Sequence, residues 1–446
     1  MGWVAQQWPL CSGLVMQAPH ICPGASNGTP PQAPPAGIPL DFKWPEGGVS
    51  RVPFRVFSDP AIYALEQEKI FRGPVWHYLC LETEVSQSGD IKTTWLGQTP
   101  IIVTRDQDGV VHAMVNRCAH KGALVCLKDR DNKPSLTCVY HAWNYALDGQ
   151  LKTVAFQDGI RGKGGMPEDF DPARHRLEPL RVQVYCGMVF GTMSGQTPPL
   201  HDFLGERTRA FMERNMGQRL KILGVHSQII HNNWKLYAEN VRDSYHATLL
   251  HTFYTTFKVN RLDMDGGIVL SDKKWHHISY SKRATLNVAE EYQEAKVHAA
   301  QYGSDLEGPE LLKTWEGFDD GITHSIQTVF PTLVMQLTLN SLAVRFVVPR
   351  GVDKTELFWI FLGYESDTPE QQKMRVMQGN LTGAAGLVAL EDGCINSFVQ
   401  RGTVGSPAHT AFIEMGGRLA ESNESSRATE AAVRGFWHGY RDIMGF

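Results

Sequence analysis

The chain has 446 residues, of which 42% are hydrophobic and 20% are charged, and its formal net charge is −4. This composition is that of a globular protein, and the length favours two or three domains. The charge gives no basis for a nucleic-acid or membrane partner, and no apolar run reaches the roughly 18 residues of a membrane span. The eight cysteines are irregularly spaced and no signal peptide is evident, so we expect a cytoplasmic protein.

The first 75 residues predict a tail followed by a helical segment. Residues 1–45 are expected to be disordered, because five prolines lie between positions 30 and 39 among small and polar residues. The alternative is an arm that packs on another subunit. Residues 46–75 contain a predicted helix that begins at Asp59-Pro60 and continues with apolar residues at helical spacing. We expect this segment to pack with the C-terminal domain.

The sequence of residues 76–192 predicts a small all-β domain. Its short runs of β-branched and aromatic residues are separated by turn pairs such as Asp108-Gly109 and Asp148-Gly149. The predicted strands continue through residues 180–190. The stretch 194–199, which is rich in turn residues, is the expected boundary with the next domain.

Two short motifs of potential metal ligands lie in the all-β domain. Cys118 and His120 form a Cys-x-His pair, and Cys138 and His141 form a Cys-x-x-His pair after an interval of seventeen residues. A Rieske [2Fe–2S] cluster takes two cysteines on one iron and two histidines on the other, and two mixed loops supply this division. Gly122 permits the close turn that such a loop requires. The alternative use of the same four residues is a mononuclear zinc site.

Residues 193–446 predict an α+β domain, in which helices pack on one side of a sheet. The predicted elements are helices at 234–251, 369–399 and 426–443 and strands at 332–339, 342–348 and 356–362. A long polar region between the first helix and the first strand has a mixed pattern.

A second potential metal site begins in the helix-like segment. Asp243 and His246 are three residues apart and share a helix face, whereas His246 and His251 are five apart, about 140° around a regular helix. Joint coordination by the two histidines therefore needs an irregularity or a helix end between them. A 2-His-1-carboxylate site would take its third ligand from a distant element, and Glu391-Asp392 is the candidate pair. The residues alone leave open which acid it is, and a surface acid pair is the alternative.

Together, these motifs make the chain resemble the large subunit of the Rieske non-haem iron ring-hydroxylating oxygenases over residues 45–446. The resemblance rests on the two cluster motifs, on the run from Glu239 to His251, and on Glu391-Asp392 ahead of Gln400-Arg401-Gly402. It implies an all-β Rieske domain and a catalytic domain that has an antiparallel sheet with helices packed on it.

The resemblance also implies roles for individual residues. The implied cofactor ligands are Cys118, His120, Cys138 and His141 for the cluster and His246, His251 and Asp392 for a mononuclear Fe(II). Asp243 would link the iron site to a Rieske histidine of a neighbouring subunit. Asn240 would lie close to the iron without being a firm ligand.

Three departures from the family's common pattern indicate a branch of the family. Lys121 replaces a frequent Arg, and Val139 and Ala142 replace a Pro and a Gly of the second cluster loop, but none of these changes removes a ligand. The branch resembles the aromatic-carboxylate oxygenases of the terephthalate, salicylate and anthranilate types.

The resemblance implies a terminal oxygenase component that uses O₂ and NAD(P)H-derived electrons from a reductase to hydroxylate an aromatic carboxylate. The expected reaction is terephthalate-like dioxygenation to a cis-dihydrodiol. The alternatives are monohydroxylation of salicylate, dioxygenation of anthranilate or benzoate, and, in another class, a Rieske electron carrier without oxygenase activity. The implied assembly is α₃ or, with a small β subunit, α₃β₃.

Two arginines are candidates for binding the substrate. Arg345 lies in the apolar run 342–348, where alternation puts it on one face with Ala343 and Val347. A cation there is costly unless it is paired. The structural explanations are a carboxylate partner within the protein or a position at a solvent-facing edge. The functional explanation is the carboxylate of a substrate, which suits a planar guanidinium. Arg427 is a second candidate, and the pair would suit a dicarboxylate held at both ends.

Overall fold

The computed structural model describes residues 41–257, 259–283 and 306–446, together with the single positions 294 and 296. The predicted tail lies outside these ranges except for residues 41–45. Of those residues, Trp44 is buried, with its ring 5.8 Å from that of Trp437 and 6.4 Å from that of Tyr440. No helix in the described part of the chain is long and apolar enough to cross a membrane.

The N-terminal segment contains strand β1 (Arg51–Pro53) and helix α1 (Pro60–Glu66). The helix begins as predicted: the Asp59 side chain accepts hydrogen bonds from the N–H groups of Ala61 and Ile62. A single π-turn, Gln67–Phe71, continues it.

A buried polar cluster ties this segment to the second domain. The Glu66 carboxylate is fully buried and accepts hydrogen bonds from Trp234 Nε1 (2.8 Å), Lys235 Nζ (2.6 Å) and the Tyr440 hydroxyl (2.6 Å). Burial lowers the pKa of Lys235, and the charge of Glu66 opposes that shift. Because each buried charge is paired, the cluster can persist in the interior.

The all-β domain contains three small antiparallel sheets, ordered β10-β11-β2, β5-β4-β3-β6 and β7-β8-β9. Its strands are β2 (His77–Leu81), β3 (Asp90–Leu96), β4 (Thr99–Arg105), β5 (Val111–Val115), β6 (Arg130–Asn132), β7 (Leu136–Thr137), β8 (Asn144–Tyr145), β9 (Leu151–Thr153), β10 (Arg181–Tyr185) and β11 (Met188–Thr192). The strands predicted through residues 180–190 are present as β10 and β11. Cys186 (φ 49°) and Gly187 (φ 69°) form a tight turn that folds this segment into a hairpin.

The second domain is built on one seven-stranded antiparallel sheet of order β12-β18-β17-β16-β15-β14-β13. Its strands are β12 (Leu220–Ile230), β13 (Gly266–Leu270), β14 (His277–Lys282), β15 (Ile322–Val329), β16 (Leu333–Thr338), β17 (Ser341–Pro349) and β18 (Thr355–Tyr364). A short strand, β19 (Thr410–Phe412), pairs with β1. The α+β class and the antiparallel sheet are confirmed.

The helices of the second domain are shorter than predicted. They are α2 (Leu200–Leu204), α3 (Glu206–Met216), α4 (Trp234–Asn240), α5 (Ala247–Leu250), α6 (Thr252–Thr256), α7 (Pro369–Thr382), α8 (Leu387–Val404) and α9 (Ala431–Met444). The predicted helix over 234–251 is therefore interrupted, and the predicted helix over 369–399 is two helices. The second break contains Gly383, where a Cβ atom would lie 2.5 Å from the Phe361 ring.

Strand register determines which side chains face α4. Arg345 on β17 lies opposite Val334 on β16 and Trp359 on β18. Residues two apart share a face, so Arg345 lies on the same face as Ala343 and Val347, as predicted. That face meets α4, because Arg345 donates a hydrogen bond to the hydroxyl of Tyr237.

Candidate metal centres and active site

The two Cys/His loops of the all-β domain have the same backbone design. The N–H of Gly122 donates to the carbonyl of Cys118 (2.9 Å), and the N–H of Ala142 donates to the carbonyl of Cys138 (3.0 Å). Gly122 (φ 76°) and Ala142 (φ 53°) both have left-handed backbone conformations. The turn expected at Gly122 is therefore present, and a second turn of this kind occurs at an alanine.

The loops present cysteines inward and histidines outward. Cys118 and Cys138 are 3% and 2% exposed and belong to one hydrophobic cluster, whereas His120 and His141 are exposed with their rings 4.5 Å apart. The Tyr145 hydroxyl lies 3.1 Å from Cys118 Sγ. Two buried thiols beside two exposed imidazoles fit the division of ligands in a Rieske cluster.

The second potential metal site is built around the short helix α5. His246 precedes its first residue and His251 follows its last, and the backbone of His251 (φ −82°, ψ 84°) leaves the helical region. This is the irregularity that the five-residue spacing required. It allows both imidazoles to turn toward α8, which carries Asp392.

Three ligand atoms converge at this site. His246 Nε2 and His251 Nε2 each lie 3.4 Å from Asp392 Oδ1, and one ligand atom from each residue lies within 4.8 Å of the others. Burial alone would raise the pKa of Asp392, but its hydrogen bonds to both histidines hold that pKa well below its usual range. Two imidazoles and an ionised carboxylate form the donor set of a mononuclear iron with open positions.

Other polar side chains orient these ligands. Glu391 Oε2 lies 2.7 Å from His251 Nδ1, so the two neighbouring acids contact opposite nitrogens of one imidazole. The side-chain nitrogen of Asn240 lies 3.3 Å from His246 Nε2 and 3.2 Å from Asp392 Oδ1. A carboxylate on the second nitrogen of a metal-bound histidine fixes its tautomer and ring orientation.

Asp243 lies on the outer side of His246. Its Oδ1 accepts the N–H groups of Tyr245 (2.9 Å) and His246 (3.2 Å), and its Oδ2 lies 3.3 Å from His246 Nδ1. The side chain is 22% exposed. Burial lowers the pKa of His246, but Asp243 and Asp392 together raise it to about 10. Asp243 thus connects the histidine to the protein surface.

A cavity of about 50 Å³ lies beside the three ligands and contains both predicted substrate residues in its wall. Arg345 is 5% exposed; its Nη1 lies 2.9 Å from the Tyr237 hydroxyl and its guanidinium carbon 4.4 Å from the centre of the Trp359 ring. Within the described ranges, no carboxylate lies within 4.0 Å of this guanidinium. Arg427 is buried and donates to Asn260 Oδ1 (2.6 Å) and to the carbonyl of Arg261.

Comparison with known proteins agrees with this geometry. Residues 75–162 match the Rieske [2Fe-2S] domain, and residues 216–445 match the ring hydroxylating alpha subunit catalytic domain. The chain is 45% identical to the alpha 2 subunit of the terminal oxygenase component of terephthalate 1,2-dioxygenase from Comamonas sp., over 91% of this chain and 98% of that one.

This chain belongs to the Rieske ring-hydroxylating oxygenase alpha subunits. The cluster domain and the mononuclear iron domain of that family are both present, so the alternatives of a Rieske electron carrier and of a zinc protein are set aside. The large subunit of anthranilate 1,2-dioxygenase from Burkholderia cepacia is 42% identical over 91% of this chain and 96% of its own. The large oxygenase component of salicylate 5-hydroxylase from Ralstonia sp. is 36% identical over 92% of this chain and 97% of its own.

The fold is shared with more distant oxygenases. The structure of naphthalene 1,2-dioxygenase from Rhodococcus sp. bound to indole superposes with a TM-score of 0.73 at 21% identity, covering 88% of this chain and 94% of that one. The two-domain architecture predicted for this oxygenase subunit is therefore confirmed.

Several cavity residues of this oxygenase were missed by sequence reasoning. They are single polar residues on helix α6, on strands or, for Asn260, in the connection between α6 and β13: Tyr254, Asn260, Ser279, His324 and Gln336. None belongs to a motif. A weak signal exists for Gln336, since it is a polar residue inside the apolar run of β16.

Proposed function

We propose that this oxygenase subunit hydroxylates the ring of an aromatic carboxylate. The observation that carries this proposal is Arg345, a buried cation in the wall of the cavity beside the metal ligands, with no carboxylate partner in the part of the chain that the structure describes. A buried charge without a counter-ion is costly. A carboxylate on the substrate would supply the missing charge and would match the planar donors of the guanidinium.

The surroundings of Arg345 support its role as an anchor. Tyr237 and the ring of Trp359 hold the guanidinium in place, so little side-chain freedom is lost when a ligand binds. Arg427 lines the same cavity and is the second, weaker candidate. Two cations in one cavity suit an acid that carries a second anionic group.

The proposed metal ligands follow from the two donor sets. His246, His251 and Asp392 would hold the iron, which supplies open coordination positions for activating O₂. Asn240 would keep Asp392 and His246 oriented through its side-chain amide. The cluster ligands in this proposal are Cys118, His120, Cys138 and His141.

We place the route of electron entry at Asp243. Its carboxylate bonds to His246 and remains partly exposed, so it can accept a hydrogen bond from an exposed cluster histidine of another subunit. The proposed assembly is a ring of three α subunits, with or without a small β subunit, and a separate reductase that delivers NAD(P)H-derived electrons. A cytoplasmic location suits a chain whose cysteines include a pair of proposed cluster ligands.

The relatives support a terephthalate-like dioxygenation to a cis-dihydrodiol as the preferred reaction. These relatives are named for the dioxygenation of terephthalate, the dioxygenation of anthranilate and the hydroxylation of salicylate. Monohydroxylation of a salicylate-type acid is the second candidate, because a salicylate 5-hydroxylase subunit is among the relatives.

The test is product analysis with the purified oxygenase, a compatible reductase and NADH. We expect ring-hydroxylated products from a panel of benzoic acids and much less from the corresponding neutral toluenes. Equal conversion of acids and neutral rings would contradict carboxylate recognition while leaving the oxygenase assignment intact.

A further inference from the structure

One polar side chain from each of four adjacent strands lines the cavity. These residues lie on β14, β15, β16 and β17, and they are Ser279, His324, Gln336 and Arg345. Their exposed fractions are between 2% and 7%. Buried polar groups on the inner face of a sheet are costly without hydrogen-bond partners, so the partners of each one are informative.

The hydrogen bonds around His324 are compatible with a proton on Nε2, which is the tautomer that we assign. Gln336 Nε2 donates to Thr338 Oγ1 (3.1 Å), and Thr338 Oγ1 lies 3.2 Å from His324 Nδ1. A hydroxyl that accepts the amide proton can give its own single proton to Nδ1. The imidazole then carries its proton on Nε2.

His324 is a neutral side chain with one unused donor. Burial and the nearby cations Arg427 and Arg345 lower its pKa to about 3, so the ring is uncharged near neutral pH. Within the described ranges, Nε2 has no hydrogen-bond partner, and the residue lines the cavity. Its free N–H is therefore available to a bound molecule.

We propose that His324 selects substrates by donating this Nε2–H to an oxygen on a second ring substituent. This inference rests on the proposed function, in which Arg345 binds the first carboxylate. The favoured substrates are benzenedicarboxylates. An amino group at the same position is disfavoured, because it would place its own N–H donors against a donor in a buried site.

The sheet geometry allows one ring to contact both residues. The strands of Arg345 and His324 are separated by one strand, so their backbones are about 9.5 Å apart across the sheet, and the register offsets them by four residues, about 13 Å, along the strands. Both side chains line the same cavity, so they can contact opposite ends of a ring with two substituents. Arg427, which also lines the cavity, adds positive charge that favours an anionic second substituent.

The experiment measures dissociation constants for the oxidised holoenzyme by calorimetry, with benzoate, the benzenedicarboxylates and the matching aminobenzoates. We expect each preferred dicarboxylate isomer to bind about tenfold or more tightly than its amino counterpart. His324→Leu should remove most of this preference and change benzoate affinity less than about twofold, whereas His324→Gln, which keeps an N–H donor, should retain part of it.

The matched control is His277→Leu. His277 lies on β14, is equally buried and has its Nδ1 2.6 Å from Thr328 Oγ1, but it does not line the cavity. Its replacement should alter thermal stability without changing the order of affinities.

Two results would overturn the inference about His324. One is tight binding of aminobenzoates by the wild type, and the other is an equal loss of affinity for benzoate and dicarboxylates in His324→Leu. If no acid binds, or if Arg345→Gln leaves benzoate affinity unchanged, carboxylate recognition itself fails and this inference fails with it.

Discussion

Replacing Arg345 by Gln removes the proposed substrate anchor while keeping a polar side chain of similar length. In the wild type, the guanidinium is 5% exposed, hydrogen-bonded to Tyr237 and stacked over Trp359. A hydrogen bond to a charged group contributes about 1.5–3 kcal/mol. The KM for aromatic acids should therefore rise roughly 10- to 150-fold, while iron content and cluster absorption stay unchanged.

The assay compares steady-state kinetics on benzoic acids and on a neutral ring, with a saturating reductase. Arg375→Gln is the matched control, because Arg375 is equally buried and lies 4.8 Å from the Tyr364 ring, but its charge is paired with Asp367 and it is outside the cavity. The control should lose stability without a selective rise in KM for acids. Equal weakening for acids and the neutral ring in Arg345→Gln would refute the reasoning and make Arg345 a structural residue.

Four further outcomes follow from the two metal sites. Cys118→Ala should abolish the Rieske absorption and EPR signal but leave iron binding in the catalytic domain; a persistent signal would contradict the cluster assignment. Asp392→Ala should abolish product formation while the cluster is retained, whereas Glu391→Ala should weaken iron binding about 10- to 100-fold. An active Asp392→Ala variant would show that Asp392 is not the iron ligand and would make Glu391 the candidate. Asp243→Asn should keep both metal centres and stop turnover, and full activity would contradict the proposed electron route. Ala142→Gly should raise the free energy of unfolding by about 1 kcal/mol, because its left-handed backbone disfavours a Cβ atom; lower thermal stability would argue against that strain.

The parts of the site that were predictable from sequence are those in which the ligands lie close together along the chain. The pairs around Cys118 and Cys138 each form one loop, so their spacing alone indicates the chemistry. The five-residue interval between His246 and His251 correctly required a helix end. The break itself was not predictable in position, because 234–251 has apolar residues at helical spacing throughout.

The carboxylate ligand shows where sequence reasoning ends. Glu391 and Asp392 are adjacent acids, and the residues alone do not distinguish them. In the structure, the orientation of α8 buries Asp392 against both imidazoles, while Glu391 is 30% exposed and contacts the other nitrogen of His251. One rotation of the helix by 100° decides the assignment, and that rotation depends on packing against distant elements.

The cavity wall was the least predictable part. Four of its polar residues come from four adjacent strands, and only the register between those strands brings His324, Gln336 and Arg345 together. Register depends on long-range pairing, which leaves no local signature in the sequence. The face on which Arg345 lies was nevertheless predicted correctly, because alternation within one strand is local.

Incorporation of ¹⁸O₂ in a single turnover tests the central claim most directly. The oxygenase is reduced, freed of reductase and reductant, and mixed with an aromatic acid and ¹⁸O₂. The account predicts oxidation of the Rieske cluster together with a ring-hydroxylated product that contains ¹⁸O. Cluster oxidation without any labelled product from any benzoic acid would contradict it.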